Sequence, residues 1–277
     1  MPLGQEEIVN EQKQRIVVKV GTSTLTHSSG SLNLRSMEQM VRVLSDLSGA
    51  GHEIILVTSG AIAVGTARMG LDERPRALRM KQAAAAVGQC RMMHIYDKLF
   101  SEYNRTVAQI LLTGDDVEDP LRAEHLRNTF ASLLEMGIIP VVNENDSVSS
   151  AEIETGHHKV LGDNDTLSAI VAELCRADLL VLFSDIDGLY DADPRSHPDA
   201  RLLHRVTELT PEILEMAGGA GTWRGTGGMA TKLSAARIAM NAGCDMVITN
   251  GQRMGDLYGI VEGQDVGTRF AAGGSPQ

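Results

Sequence analysis

Two lysines sit where phosphate chemistry would need them. Lys19 falls inside the run IVVKV, residues 16–20, two positions before Gly21, and the chain continues with Thr22 and Ser23. A lysine is rarely fully buried without a partner, so a charge in an apolar run is informative. Taken alone, it fits an edge-strand lysine that snorkels to water. The Gly-Thr-Ser that follows turns it toward function, because glycine lets backbone amides approach an anion closely. Lys232 ends GTGGMATK, residues 225–232, where Thr226, Gly227, Gly228, Met229, Ala230 and Thr231 lead into a helix. Backbone donors, a helix N-terminus and a point positive charge together suit an anion. The plain alternative is a flexible loop before an ordinary helix. No G-x-x-x-x-G-K-S/T sequence is present, so this is not a P-loop.

Between the lysines lie two segments dense in Asn and Asp. NENDS, residues 143–147, holds Asn143 and Asp146; GDND, residues 162–165, holds Asn164 and Asp165. Asparagine amides donate to a carboxylate and an aspartate accepts from an ammonium group, so the pair suits a zwitterionic amino acid. For GDND a cap is the rival reading, with Asn164 or Asp165 simply starting the helix TLSAIVAELC. Other signals carry less. Asp185, Asp187, Asp191 and Asp193 resemble a calcium loop with the glycine at the wrong offset, and read as tight turns in which Asp185 is free to contact a nucleotide. His157 and His158 have no partner at metal spacing. Ser59 in VTSGA lacks the first glycine of a nucleophile elbow. Trp223 beside Arg224 reads as a lid residue.

These positions need a scaffold, and the chain supplies one. IVVKV (16–20), EIILV (53–57), VAQILL (107–112), IIPVV (138–142), LLVLF (179–183) and MVIT (246–249) are short apolar, β-branched runs, as expected of strands buried on both faces. Between them Met37, Met40, Val41, Leu44 and Leu47 recur at helical spacing, and the Ala-rich stretch 77–103 is a long helix or a broken pair of helices. LRNTFASLLEM and residues 231–242 are helical too. Strand–helix alternation predicts an α/β, three-layer αβα sandwich on a mostly parallel open sheet. In such sheets ligands bind outside the carboxyl ends of the strands. Gly21 and Thr22, Ser59 and Gly60, Asn143 to Asp146, and Ser184 with Asp185 all follow strands directly, so one edge should carry the site. Residues 1–277 form one unit in this reading, with an N-terminal acceptor-binding lobe to about 180 and a C-terminal nucleotide-binding lobe from about 181.

Composition narrows the class. Hydrophobic residues make up 43% and aromatics only 3%, so aliphatic side chains and methionine must build the core. A net charge of −11 argues against a nucleic-acid partner and obliges any phosphate site to concentrate its positive charge locally. Three scattered cysteines, Cys90, Cys175 and Cys244, fit reduced thiols packed in the core of a cytoplasmic protein. The polar N-terminus has no apolar signal region and no stretch reaches about 18 uncharged apolar residues, so neither secretion nor membrane insertion is expected.

Read in order, VVKVGTSTLT, VTSGAIAVG, KQAAAAVGQ, QILLT, PVVNENDSV, LGDND, LFSDIDGLYDADPR and GTGGMATK resemble the amino acid kinase family. Within it they resemble the members that phosphorylate glutamate. The matching segments run from Arg15 to the closing VEGQDVGTRF, nearly the whole chain. The resemblance implies that Lys19 and Lys232 neutralise the phosphoryl group in flight and that Asp165 orients them. It implies that Ser59, Asn143, Asp146 and Asn164 bind L-glutamate, with Thr22 and Gly60 close by. Gly21, Ser184 and Asp185, together with the loop 226–232, would line the ATP site. Mg²⁺ is implied as the nucleotide's metal, proline as feedback inhibitor, a dimer or tetramer as assembly, and a glutamyl phosphate reductase as the next enzyme in proline synthesis. Many relatives carry a C-terminal PUA domain; the sequence ends soon after VGTRF, and none is expected here. The stretch ETGHHKV looks longer than is usual and flanks the expected acceptor pocket. Acetylglutamate kinase and aspartokinase are the rivals within the family. A non-catalytic sensor on the same fold is the rival outside it, and retention of both lysines with Asp165 speaks against that.

Overall fold

The computed structural model describes residues 13–27, 29–148, 163–194, 196–216 and 228–273. Among these, eight strands form one sheet: β1 (Arg15–Val20), β2 (Glu53–Val57), β3 (Val107–Leu112), β4 (Ile139–Glu144), β5 (Leu179–Ser184), β6 (Arg205–Val206), β7 (Asp245–Asn250) and β8 (Thr268–Phe270). Their spatial order is β3-β4-β2-β1-β5-β7-β8-β6. The first six positions are parallel neighbours, and β8 pairs antiparallel with β7. All six strands expected from the apolar runs are present. β6 and β8 were not anticipated, because two or three residues are too few to show a period.

The helices are α1 (Thr22–Leu25), α2 (Leu34–Gly49), α3 (Ala61–Arg68), α4 (Leu78–Ser101), α5 (Gly114–Glu118), α6 (Pro120–Glu135), α7 (Asn164–Cys175), α8 (Pro211–Met216), α9 (Met229–Asn241) and α10 (Asp256–Val261). They cover both faces of the sheet. On one face Val18 and Val20 pack with Met37 and Leu44 of α2, Val64 of α3, Met92 of α4 and Leu257 of α10. On the other Val17 packs with Phe130 of α6, Leu167 of α7 and Leu233 of α9. Burial on both faces is why the strands read as unbroken apolar runs. The strand period of two puts Lys19 on the same face as Val17, under α7 and α9. That parity decides which helices can reach the lysine.

The face with α3 and α4 depends on two glycines. A Cβ on Gly65 would lie 1.7 Å from the Ala84 carbonyl oxygen, and one on Gly88 would lie 1.8 Å from that of Ala61. The two helix backbones therefore touch, and no rotamer change can make room. Gly88→Ala should cost about 3 kcal/mol through overpacking, lowering Tm by roughly 5–10 °C, which a thermal melt followed by circular dichroism would measure. A melt unchanged from wild type would show that α3 and α4 are not in backbone contact.

Cys175 and Cys244 are buried as expected, and burial pushes both thiols up to about 12. Cys90 is not a core residue: it is exposed. It follows Gln89 on α4, whose buried stripe runs through Ala85, Gly88, Gln89 and Met92. One further residue rotates the side chain off that stripe.

Candidate active site

The five central strands β4, β2, β1, β5 and β7 end side by side, and their carboxyl ends carry polar residues. Across the sheet these are Asn143 on β4, Thr58 and Ser59 after β2, Gly21 after β1, Ser184 on β5 and Asn250 on β7. The registers Lys19↔Leu182 and Ser184↔Asn250 place the ends level with one another. Strands of this orientation also direct helix N-termini to the same edge, so α3, α7 and α9 begin there.

At the centre is one carboxylate between two ammonium groups. Lys19 Nζ lies 2.6 Å from Asp165 Oδ1, and Lys232 Nζ donates to Asp165 Oδ2 at 3.1 Å. The Thr231 hydroxyl donates to the same Oδ2 at 3.0 Å. All three charged residues are buried: Asp165 is 3% exposed, Lys232 5% and Lys19 9%. Burial alone would push the Asp165 carboxyl up. The Lys19 and Lys232 ammonium groups more than offset that and hold it below the ordinary carboxylate range. Counted over these three side chains the cluster carries one net positive charge, set in a chain of net charge −11.

The local sequence explains how each member is held. Asp163, not Asn164 or Asp165, is the N-cap of α7: its carboxylate accepts from the backbone N–H groups of Asp165 and Thr166 at 2.7 and 2.9 Å. Asp163 thereby takes the capping role and leaves Asp165, in the first turn, to face the lysines. Helix α9 begins differently. Its N-cap is Gly228, with no side-chain cap, so no capping side chain among the described residues takes up its first amides, which lie beside Lys232. Met229 and Ala230, expected in the loop, join Thr231 in the first turn of α9. Thr226 and Gly227 lie outside the described residues, as do His157, His158, Trp223 and Arg224.

On the β2 and β4 side, Thr22 Oγ1 donates to Ser59 Oγ at 3.1 Å, and Ser59 Oγ donates to the Val20 carbonyl at 3.2 Å. Gly60 has φ +100°, the left-handed region that favours glycine, and a Cβ there would meet Thr22 Cγ2 at 3.3 Å. Buried Asn143 donates through Nδ2 to Gln89 Oε1 at 3.1 Å. Gln89 had no role in the sequence reading. Its signal was an amide at helical spacing with the small residues Ala85 and Gly88, on the buried stripe of an Ala-rich helix. Gln89, Glu144 and Asp146 line one cavity of about 440 Å³, which Cys90 and Met93 also border. Burial, reinforced by the Glu144 carboxylate and opposed by Arg74, pushes the Asp146 carboxyl up to about 6. Asn164, the first residue of α7, is half-buried next to Asp165.

On the β5 and β7 side, Ser184 Oγ donates to Asp185 Oδ1 at 3.1 Å, and Asp185 is exposed. Asp187 accepts from Asn250 Nδ2 and from Arg253 at 2.9 Å each. The Asn250 amide, helped by Arg253, holds its carboxyl below the usual range against the opposing effect of burial. The acidic run is thus a set of pinned turns, as its spacing suggested. Among the described residues no three metal-ligating side chains come together.

The geometry is therefore a positive centre flanked by two polar shelves: an amide- and carboxylate-lined cavity on one side, an open strand end on the other. It can hold an anionic group in transfer between two ligands. Comparison with known proteins agrees with this arrangement. The profile of the amino acid kinase family matches residues 14–250. A glutamate 5-kinase of Clostridium perfringens is 53% identical over 262 residues, covering 95% of this chain and 97% of that one. A glutamate 5-kinase of Listeria innocua is 50% identical over 262 residues, covering 95% and 94%. A carbamate kinase from Giardia lamblia, solved with AMP-PNP bound, shares the fold at a TM-score of 0.64 and 15% identity, over 95% of this chain and all of that one. With a matching profile over most of its length and relatives at half identity end to end, the chain belongs to the amino acid kinase family.

Proposed function

We infer that the protein transfers the γ-phosphoryl group of ATP to the side-chain carboxylate of L-glutamate, giving L-glutamyl 5-phosphate and ADP, the first step of proline biosynthesis. The observation that carries this is the Lys19–Asp165–Lys232 cluster between an amide-lined cavity and an open strand end. The names of the relatives in Clostridium and Listeria support glutamate as the acceptor.

The chemistry explains the residues. A glutamate side chain has a reference pKa of about 4.3 and is already an anion at neutral pH. It attacks the γ-phosphorus directly, and the bond to the β,γ-bridging oxygen breaks as ADP leaves. No general base is needed. What is needed is alignment of two anions and cancellation of their repulsion. In this assignment Lys19 reaches the phosphoryl group from the β1 end and Lys232 from the α9 end, while Asp165 fixes both ammonium groups by accepting from each. Gly21 and the amides at Gly228 to Ala230 face the phosphates, and Ser184 and Asp185 border the nucleotide. Ser59, Gly60, Thr22, Asn143 and Asn164 receive the acceptor's carboxylates, and Asp146 receives its ammonium group. Mg²⁺ bound with ATP would offset the charge of the phosphates, and exposed Asp185 at the end of β5 is the carboxylate that would hold it. The product is a reactive acyl phosphate, so a reductase that consumes it promptly is the natural next enzyme.

The direct test incubates the protein with Mg·ATP, hydroxylamine and one acid at a time, and measures hydroxamate. Glutamate should give it; acetylglutamate and aspartate should give little. Hydroxamate from either of those but not from glutamate overturns the assignment, and folded protein that releases no ADP with any acid points to a sensor instead.

Asp146 supplies a second test. Its folded-state pKa is raised, so its contribution to stability is present below the unfolded value and is lost as pH rises through about 6. At pH 8 the ionised carboxylate is therefore a burden on the fold, tolerated for its use in binding. Asp146→Asn should raise Tm at pH 8 while raising KM for glutamate tenfold or more, the loss expected for a charge-assisted hydrogen bond. A lower Tm together with an unchanged KM would remove Asp146 from the acceptor site.

A further inference from the structure

The opposite edge of the sheet holds a second cavity, of about 540 Å³, at the amino ends of β2 and β3. It is bordered by the last turns of α2 and α10 and by the residues leading into those strands. The length of β2 separates it from the catalytic edge by roughly 17 Å. Its polar groups are mostly donors, and two of them have no partner. Ser45 is 4% exposed and its Oγ makes no hydrogen bond, although a helical serine ordinarily donates to the carbonyl four residues before it. Arg105 Nε is buried and equally unpartnered. Buried donors left without acceptors are uncommon and invite explanation by a missing ligand.

Three further features point to what would fill the cavity. His52, 6% exposed, accepts through Nδ1 from the Gln14 backbone N–H at 3.2 Å, so the neutral ring carries its proton on Nε2 and offers a third donor. The acidic residues at the rim are occupied: Asp46 accepts from the Tyr258 hydroxyl and Glu262 from Gln264 Nε2, both at 2.9 Å. Arg42 also borders the cavity and adds a second guanidinium, and the remaining wall is apolar, with Leu47 and Val261 beside the rings of Tyr103 and Tyr258. The absence of a side chain on Gly49 also matters. A Cβ there would sit 2.8 Å from an Arg105 terminal nitrogen, so glycine leaves the guanidinium the space it occupies.

Unpaired donors at the base, satisfied acceptors at the rim and apolar walls select one chemistry. We propose that this cavity binds a small organic monocarboxylate with an aliphatic or aromatic body, its carboxylate taken by Arg105 and Ser45 and its body lying between Leu47 and the tyrosine rings. The site is distinct from the phosphoryl-transfer site and does not depend on what acid is phosphorylated there.

Benzoate is the probe, with inorganic phosphate as the anion lacking a body and benzylamine as the same body with opposite charge. Binding is followed by saturation-transfer NMR and titration calorimetry on the full chain, with a non-hydrolysable ATP analogue present. Benzoate should bind, benzylamine should not, and phosphate should bind at least tenfold more weakly than benzoate. Arg105→Ala should weaken benzoate by about tenfold to a hundredfold with kcat for glutamate within twofold of wild type. Gly49→Ala, which keeps the guanidinium but displaces it, should weaken benzoate in the same direction and covers the case in which the arginine variant does not fold. Equal benzoate affinity in wild type, Ser45→Ala and Gly49→Ala overturns the proposal. So does phosphate binding as tight as benzoate, or benzoate binding that is lost in Lys232→Ala instead.

Discussion

Lys232→Ala lowers kcat by about a thousandfold while the protein stays folded. Removing one preorganised charge aimed at a developing anion typically reduces kcat by about 10²–10³, and Lys232 is one of the two ammonium groups that meet at Asp165 among the described residues. The fold should survive because Asp165 keeps Lys19 at 2.6 Å and the Thr231 hydroxyl at 3.0 Å. KM for glutamate should change little, since the proposed acceptor contacts, Asn143 and Asp146, are not partners of Lys232. Single-turnover measurements at saturating ATP separate the chemical step from product release. A variant with near wild-type turnover would show that the α9 lysine positions Asp165 but does not meet the phosphoryl group.

Asp165→Asn has the opposite balance, with a large loss of stability as well as of activity. The carboxylate is 3% exposed and is the shared partner of two buried ammonium groups. Removing the shared anion from such a group leaves uncompensated buried charge and costs about 3–5 kcal/mol. Urea denaturation at pH 7 would read this as a lower midpoint with an unchanged slope. Replacing all three residues together, as Lys19→Met, Asp165→Leu and Lys232→Met, should recover most of the stability and none of the activity, because an apolar cluster of similar volume is often as stable as an ionic one. That contrast separates the catalytic need for the charges from any structural need. Acid gives a consistent sign. The Asp165 pKa is lowered by folding, so its stabilisation is present above the unfolded value, about 3.9, and is lost as pH falls through the still lower folded value. Midpoints for Asp165→Asn and wild type should therefore converge at strongly acidic pH.

Much of this was legible before any coordinates. Strands buried on both faces announce themselves as apolar runs, and β1 to β5 and β7 were read with boundaries within about two residues. The carboxyl-edge location followed from parallel topology alone, and it correctly gathered Gly21, Ser59, Asn143 and Ser184 on one side of the sheet. Smaller features resisted. β6 and β8 are too short to display a period. Cys90 looked like a core residue by type, and only the phase of α4 turns it outward. In GDND the capping and ion-pairing roles were indistinguishable by composition. Both require a carboxylate within two positions of a helix start.

The two lysines mark the division clearly. The sequence by itself determined that each was anomalous: one a charge in an apolar strand, the other a cation in the first turn of a helix that follows a glycine-rich loop. It also determined, through the period of two, that Lys19 shares a face with Val17 rather than with Val18. Only the tertiary structure decided that both ammonium groups converge on one carboxylate, that Asp163 caps α7 so that Asp165 can serve them, and that Gln89 stands behind Asn143. The physical reason is range. Periodicity and capping are properties of adjacent residues, whereas the contact of Asp165 with Lys232 spans 67 residues. It exists because two helices pack on the face that β1 turned toward them.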